Sequence, residues 1–193
     1  MDEEPWLFPK LTPEIGGADA VVAMPAEIES LWVEVELAIV IGRRVRSASL
    51  EEAREAICGF TCMNDVTAAD FQFEDVATMR RSPVLDIFRS KSVDTFAALG
   101  PCIRTDITEE DVAAGLRLTT HVNGELVGEG NTRRHKFSVS RWVSFVSAYT
   151  TLQPGDVISL GTPCPCDVSP GDIAELGVEG IGSLRCRIVT REP

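Results

Sequence analysis

The chain has 193 residues, 44% of them hydrophobic and 25% charged, and a net charge of −12. That is ordinary for a soluble globular domain and long enough for one sizeable core. The acidity argues against a nucleic-acid partner, and without an apolar run of about 18 residues no membrane-spanning helix is expected.

Residues 1–19 are rich in Pro and Gly and read as a loop-like segment. Their start, Met1-Asp2-Glu3-Glu4-Pro5, has no signal-peptide character, so a cytoplasmic protein is expected. Val33-Glu34-Val35-Glu36-Leu37-Ala38-Ile39-Val40-Ile41-Gly42 then reads as a buried strand, rich in β-branched residues and ended by glycine. Residues i and i+2 of a strand share a face, their Cα atoms about 6.5–7 Å apart. Glu34 and Glu36 therefore point the same way, and burying two bare carboxylates so close is costly without a cation or protons. A hard divalent cation such as Mg²⁺, which takes oxygen ligands and keeps positions open for substrate, resolves the conflict. The plainer alternative is an edge strand with two solvated glutamates.

Ser49-Leu50-Glu51-Glu52 forms a capping box that opens a short helix to about residue 58, stopped by Gly59. Residues 60–63 are strand-like and end at Asn64-Asp65, a dipeptide that by itself reads as a turn or cap. Residues 74–90, containing Arg80-Arg81-Ser82-Pro83, read as a long loop that acts as a lid, or as a short helix over the sheet edge. Thr108 to Asp111 is a second capping box. Residues 116–122 and 125–130 flank Asn123-Gly124, the signature of a hairpin with a type I′ turn. Residues 138–149 carry Trp142, Phe145, Val146 and Tyr149 at helical spacing, a stripe most simply packed in the core. Pro154-Gly155-Asp156 and Pro170-Gly171-Asp172 are turns before strands, and Glu179-Gly180-Ile181-Gly182 marks a close backbone approach or a bulge. Nothing repeats, so residues 1–193 are read as one domain.

Six cysteines are present. Cys58, Cys62, Cys102 and Cys186 read as buried thiols of a reducing compartment. Cys164-Pro165-Cys166 lacks the second pair that a zinc site needs, and a reactive thiol is the other option there.

The motifs Glu34-x-Glu36-Leu37-Ala38 and Asn64-Asp65-Val66-Thr67-Ala68-x-Asp70-x-Gln72 are followed by Lys91-Ser92-Val93-Asp94-Thr95-Phe96 and Leu99-Gly100-Pro101. Val122-Asn123-Gly124-Glu125, Gly130-Asn131-Thr132, Thr151-Leu152-x-Pro154-Gly155-Asp156 and Gly161-Thr162-Pro163 come next, then Pro170-Gly171-Asp172 and Glu179-Gly180-Ile181-Gly182. In this order, over roughly residues 6–189, the set resembles the fumarylacetoacetate hydrolase family. The resemblance implies an α+β, β-rich fold, a mixed β-sheet roll with short peripheral helices, assembled as a homodimer. It implies one Mg²⁺ or Mn²⁺ held by Glu34, Glu36 and Asp65. It places Lys91 as the active-site lysine that meets the oxygen of a bound 2-oxo acid, and Gln72 and Thr162 as binders of the substrate carboxylate. Three carboxylates on a divalent ion leave net negative charge, so Lys91 supplies the cation that an arriving 2-oxo acid needs.

Family members hydrolyse acylpyruvates and fumarylacetoacetate, decarboxylate oxaloacetate-like acids, or isomerise or hydrate unsaturated diacids. Those that hydrolyse a C–C bond use a His and a Glu from a loop upstream of the segment matched by Phe8-Pro9-Lys10, and that loop is not expected here. His121 reads as a strand residue of the surface or core edge; His135 and Glu14 are the substitute bases to consider. Ala69 stands where arginine is usual and Leu160 where threonine is usual, which removes polar groups near the pocket; Arg80, Arg81 or Arg89 are candidates to restore a cation. The expected function is stabilisation of the enolate of a small 2-oxo acid, as a decarboxylase or keto–enol isomerase. A C–C hydrolase and a non-catalytic metal- and ligand-binding dimer are the alternatives.

Overall fold

The apolar run around residues 33–42 is the central strand of the molecule, and its side-chain alternation organises everything else. The computed structural model describes residues 4–11 and 14–191. The first three residues and residues 12–13, parts of the expected N-terminal loop and leaderless start, lie outside the described residues, as do residues 192–193. In chain order the strands are β1 (Ile15–Gly16), β2 (Asp19–Met24), β3 (Leu31–Ile41), β4 (Ile57–Asp65), β5 (Thr67–Ala68), β6 (Phe73–Asp75) and β7 (Arg80–Arg81). There follow β8 (Ala97–Arg104), β9 (Arg117–Val122), β10 (Glu125–Asn131), β11 (Val157–Ser159), β12 (Pro165–Val168), β13 (Ile173–Val178) and β14 (Gly182–Thr190). The helices are short: α1 (Leu50–Glu55), α2 (Ile87–Lys91), α3 (Glu109–Ala114) and α4 (Val139–Tyr149).

One sheet runs β1-β8-β4-β3-β11, with β5 and β12 also paired to β3; the other runs β10-β9-β13-β14-β2. Both are mixed, because β1 joins β8 and β2 joins β14 in parallel while their other neighbours are antiparallel. This is the expected β-rich α+β class. Every residue of β3 is buried. The odd-numbered side chains, Leu31 through Ile41, enter the main core with Leu176, Leu184, Cys186 and Ile188 of the facing sheet. Each such burial contributes roughly 1.5–3 kcal/mol. The even-numbered residues point to the opposite face, where Trp32 packs with Ala69 and Phe73, and Ala38 with Met63 and Ala97. Glu34 and Glu36 lie between these two small apolar clusters. With neighbours on both edges, β3 is not the solvated edge strand of the plainer reading.

Local signals located several elements correctly. Both capping boxes form, with Ser49 and Glu52 on α1 and with Thr108 and Asp111 on α3. Asn123 and Gly124 both take positive φ in the β9–β10 turn, as a type I′ hairpin needs. The Pro-Gly-Asp turns immediately precede β11 and β13.

Other expectations are corrected. The first helix ends at Glu55, and Gly59 lies inside β4, where a Cβ would collide with the Arg104 carbonyl of the adjoining strand. Segment 1–19 includes β1 and the start of β2, and segment 74–90 holds the β6–β7 hairpin and the start of α2. The close approach expected within residues 179–182 is found at Gly182, whose missing Cβ makes room for Pro101, and residues 179–181 form the β13–β14 hairpin turn. The aromatic stripe of α4 meets the core in part: Trp142 and Val146 pack against it from the side while Val139, Ser140, Val143 and Ser147 are buried, and Tyr149 is 75% exposed. Cys58 and Cys102 are exposed, and only Cys62 and Cys186 of that group are buried.

Candidate active site

The antiparallel register Val35↔Asn64 sets Glu34 and Asp65 side by side on adjacent strands, and Glu36 follows one step along the same face. Glu34, Glu36 and Asp65 thus offer oxygens that all lie within 4.8 Å of one another, and all three residues are buried. Asn64, with the opposite pleat, points into the core; its Oδ1 accepts the Glu34 backbone N–H at 3.1 Å.

Each carboxylate has its own partners. Thr67 Oγ1 donates to Glu34 Oε1 at 2.6 Å. Glu36 Oε2 accepts from the Ser159 hydroxyl and from the Gly161 N–H. The second group of bonds depends on a break in sheet pairing: β11 covers β3 at residues 38–40 and β12 covers it at residues 31–34. The intervening Leu160–Cys164 stretch bows outward opposite Glu36, with Gly161 at positive φ. Asp65 is held between two ammonium groups, Lys10 Nζ at 2.5 Å from Oδ1 and Lys91 Nζ at 2.5 Å from Oδ2. Lys91 Nζ also reaches Glu34 Oε2 at 3.3 Å.

The electrostatics follow from crowding. Burial, and then the charges of Asp65 and Glu34, push Glu36 up to about 8. Burial likewise raises Glu34, though Lys91 offsets part of it. Burial alone would raise Asp65, but Lys10 and Lys91 outweigh it and hold its carboxyl below the usual range. The same carboxylates outweigh burial at Lys91 and raise it. A hard divalent cation fits this donor set: three oxygen ligands converge where, among the described residues, two ammonium groups offset their charge.

The cluster forms the floor of a cleft of about 1190 Å³. Its walls include Gln72, Arg81, Lys91, Leu160 and Thr162, and its rim carries Trp6, Phe8, Trp142 and Tyr149. All six residues expected at the site from the resemblance therefore face one cavity. Gln72 has both ends of its amide engaged, Nε2 donating to Ser90 Oγ at 2.7 Å and Oε1 accepting from Arg81 Nη1 at 2.9 Å. Among the three candidate arginines it is Arg81 that lines the cleft, stacked 4.5 Å above the Phe73 ring. Arg80 pairs with Glu74, and Arg89 pairs with Asp86. Ala69 is fully buried against Trp32 and Phe73 and does not line the cleft, so only Leu160 changes the cavity wall.

Neither substitute base is in the cleft lining: Glu14 is not among its residues, and His135 faces a separate pocket. His121 sits on β9 of the other sheet. Cys164 is pushed up to about 11, by burial and then by Cys166, which makes it a poor nucleophile. Sequence reading missed Lys10, Thr67 and Ser159. The Phe8-Pro9-Lys10 motif was a signal for Lys10, but Ser159 is 123 residues from Glu36 and carried none.

A β-rich α+β protein with a buried, lysine-flanked trio of carboxylates at the floor of a cleft is a class that sequence comparison identifies. The chain belongs to the fumarylacetoacetate hydrolase family: the model described as fumarylacetoacetate (FAA) hydrolase C-terminal matches residues 1–189. An uncharacterized protein of Archaeoglobus fulgidus is 40% identical over 186 residues, spanning 96% of this chain and 69% of that one. The human mitochondrial oxaloacetate tautomerase is 33% identical over 98% of this chain and 60% of its own length. The crystal structure of 2-hydroxyhepta-2,4-diene-1,7-dioate isomerase from Mycobacterium marinum superposes with a TM-score of 0.85, at 34% identity, over 100% of this chain and 71% of that one. Among the described residues no helix is long and apolar enough to cross a membrane.

Proposed function

We propose that this protein is a divalent-metal-dependent isomerase that interconverts keto and enol forms of a small 2-oxo acid. The observation that carries the reading is the buried trio Glu34, Glu36 and Asp65, whose oxygens converge within 4.8 Å. Those three residues would hold Mg²⁺ or Mn²⁺, which when bound supplies Lewis-acid polarisation of the 2-oxo group. Lys91 keeps its proton at Nζ and sets a fixed positive charge beside the oxygen that becomes an enolate. Gln72, already oriented by Ser90 and Arg81, and Thr162, which lines the same cleft, orient the substrate carboxylate. Lys10 Nζ, on the far oxygen of Asp65, is the second proton-bearing group at the floor of the cleft. Tautomerisation needs an electron sink and a proton relay, and this set offers both.

The isomerase and tautomerase relatives favour isomerisation over decarboxylation, which would use the same enolate. Hydrolysis of a C–C bond is the weaker reading because neither His135 nor Glu14 lines the cleft. Two copies per assembly are proposed from the exposed apolar rim, in which Trp6 is 61% and Tyr149 75% exposed; light scattering after size exclusion checks this.

The test is a proton NMR time course on a panel of 2-oxo acids, oxaloacetate included, with Mg²⁺ and then with EDTA, for the wild type and Glu36→Ala. Metal-dependent exchange between keto and enol forms that is lost in Glu36→Ala supports the reading. Unchanged turnover in that variant removes the metal-centred mechanism. Binding of a 2-oxo acid with no turnover would leave a metal- and ligand-binding protein.

A further inference from the structure

Cys164 and Cys166 flank Pro165 at the start of β12, and both sulfurs turn to the same side of the chain. Gly128 of β10 shows this, because a Cβ built on it would lie 2.6 Å from Cys166 Sγ and 2.9 Å from Cys164 Sγ. Both sulfurs are thus within 2.9 Å of one point, and at most twice that distance apart. Any side chain at position 128 would fill the space between them. The β9–β10 pairing shifts register between Leu126 and Gly128, which seats this glycine opposite Thr120.

The pair is set into the fold and reached from one side. Cys164 is partly exposed, while Cys166 is 8% exposed and packs in the main core. Cys166 Sγ donates back to the Cys164 carbonyl at 3.7 Å. Thr120 Cβ lies 3.5 Å from the same point above Gly128. Its hydroxyl is buried and, among the described residues, has no hydrogen-bond partner. Burial raises the Cys166 thiol, and the Thr120 hydroxyl acts against that by favouring the thiolate. A thiolate at Cys166 would therefore give the Thr120 hydroxyl the acceptor that it lacks.

The donor set selects the ion. Among the described residues the one group of three or more His, Cys, Asp or Glu placed to share a metal is Glu34, Glu36 and Asp65, so no third such ligand joins the two cysteines. Zinc takes four ligands, and hard cations take oxygen. Two thiolates alone suit a soft cation that accepts linear coordination, as Cu⁺ does. Metal–sulfur bonds of about 2.3 Å on either side of such an ion need sulfurs about 4.6 Å apart, a separation within the limit set by Gly128. Cys166 pairs with Val33 and shares its core face, whereas Glu34 points to the other side of β3, so hard and soft donors are kept apart.

We propose that Cys164 and Cys166 form a site for a soft monovalent cation of the Cu⁺ class, held between two thiolates and separate from the carboxylate trio. The ion enters at Cys164, and the two thiol protons it displaces pass to solvent with no change of oxidation state. Thr120 is a positioning residue that donates to the Cys166 thiolate.

Anaerobic titration with Cu⁺ in competition with the chromogenic chelator bicinchoninate tests the site, with thiolate-to-copper charge-transfer absorption as an independent readout. The wild type should hold one Cu⁺ per chain, and so should Cys58→Ser/Cys102→Ser, which lacks the exposed thiols. Cys164→Ser, a change at a partly exposed residue, should weaken binding at least about a hundredfold, since a lost ligand costs no less than a lost supporting partner. Thr120→Val should weaken it about tenfold without lowering the melting temperature of the copper-free protein, because the hydroxyl it removes is unpaired there. Failure of the wild type to hold Cu⁺ against the chelator, or equal retention by Cys164→Ser, overturns the site. A Cys164–Cys166 disulfide in protein purified with reductant present overturns it too, and would make the pair a redox couple.

Discussion

Lys10 Nζ lies 2.5 Å from Asp65 Oδ1, although the two residues are 55 positions apart in the chain. With Lys91 on the other oxygen, Asp65 is enclosed by two ammonium groups, and Lys10 ties the N-terminal segment to the floor of the cleft. Burial lowers the Lys10 pKa despite this contact, so the bond is made at a desolvation cost.

Lys10→Met should therefore separate two states of the protein. In EDTA it leaves Asp65 with one counter-charge and should cost about 2–3 kcal/mol, seen as a melting temperature lower by roughly 5–10 °C. With saturating Mg²⁺ the deficit should shrink, because a bound cation replaces the lost ammonium. Thermal melts of wild type and variant in both buffers check this. A deficit of the same size in EDTA and Mg²⁺ would show that Lys10 serves packing alone.

Glu36 shapes the pH response, with the raised Glu34 acting in the same direction. Its carboxyl is pushed up to about 8 in the folded protein, by burial first and then by Asp65 and Glu34, against an ordinary value of 4.5. Between these values the unfolded chain has released the proton and the folded protein still holds it. The folded state binds more protons, so stability of the metal-free protein is full below about 4.5 and falls as pH rises toward about 8. Mg²⁺ should reverse that slope, since the cation displaces the proton and binds more tightly as pH rises over the same window. Urea titrations across that range, with and without Mg²⁺, measure both slopes, and Glu36→Gln should flatten the metal-free one.

What the sequence makes legible here is what short range controls. Two glutamates two apart on an apolar strand share a face whatever the rest of the fold does, and a capping box closes within four residues. The opposing register of β3 and β4, which brings in Asp65, and the break between β11 and β12, which brings in Ser159 and Gly161, are properties of sheet pairing. They leave no local pattern. The β6–β7 hairpin was hidden for a related reason: apart from the buried Phe73 its strands are charged, and it is held at its base by bonds from Arg81 to the Gln72 side chain and from the Ser82 N–H to the Gln72 carbonyl. On α4 the aromatic periodicity told only part of the packing: Trp142 and Val146 touch the core, but the residues facing fully inward are small. Ser144 Oγ donates to the Ala48 carbonyl and Ser147 Oγ accepts the Ala48 N–H, so the helix approaches closely through its serines. The bulky stripe then falls at the cleft.

Gly130→Ala tests the loop that bows away from β3. The added methyl would strike the Pro163 ring, and overpacking of this kind costs about 1–3 kcal/mol. The loop is fixed at its other end by the Gly161 N–H on Glu36, so displacement moves Thr162 and loosens Glu36 together. Turnover should fall at least tenfold, by order of magnitude, while circular dichroism stays that of the folded protein. Full activity would show that Thr162 needs no such placement.

Arg81 distinguishes substrate positioning from chemistry. Its guanidinium stacks on Phe73 and donates to Gln72 Oε1, while Gln72 Nε2 donates to Ser90. Two anchors fix the Gln72 amide plane against the cleft, and the cation lies beside the space for a substrate carboxylate. Arg81→Ala should raise KM for a 2-oxo acid about tenfold and change kcat little, because the interaction is present in ground and transition states alike. Arg81→Lys keeps the charge but not the planar stack and fork, so it should recover only part of the loss. The residue is exposed, and the melting temperature should stay within about 2 °C of wild type. Steady-state kinetics on the three proteins decide the matter. A fall in kcat at constant KM would mean that Arg81 acts on the enolate instead, in the role proposed for Lys91.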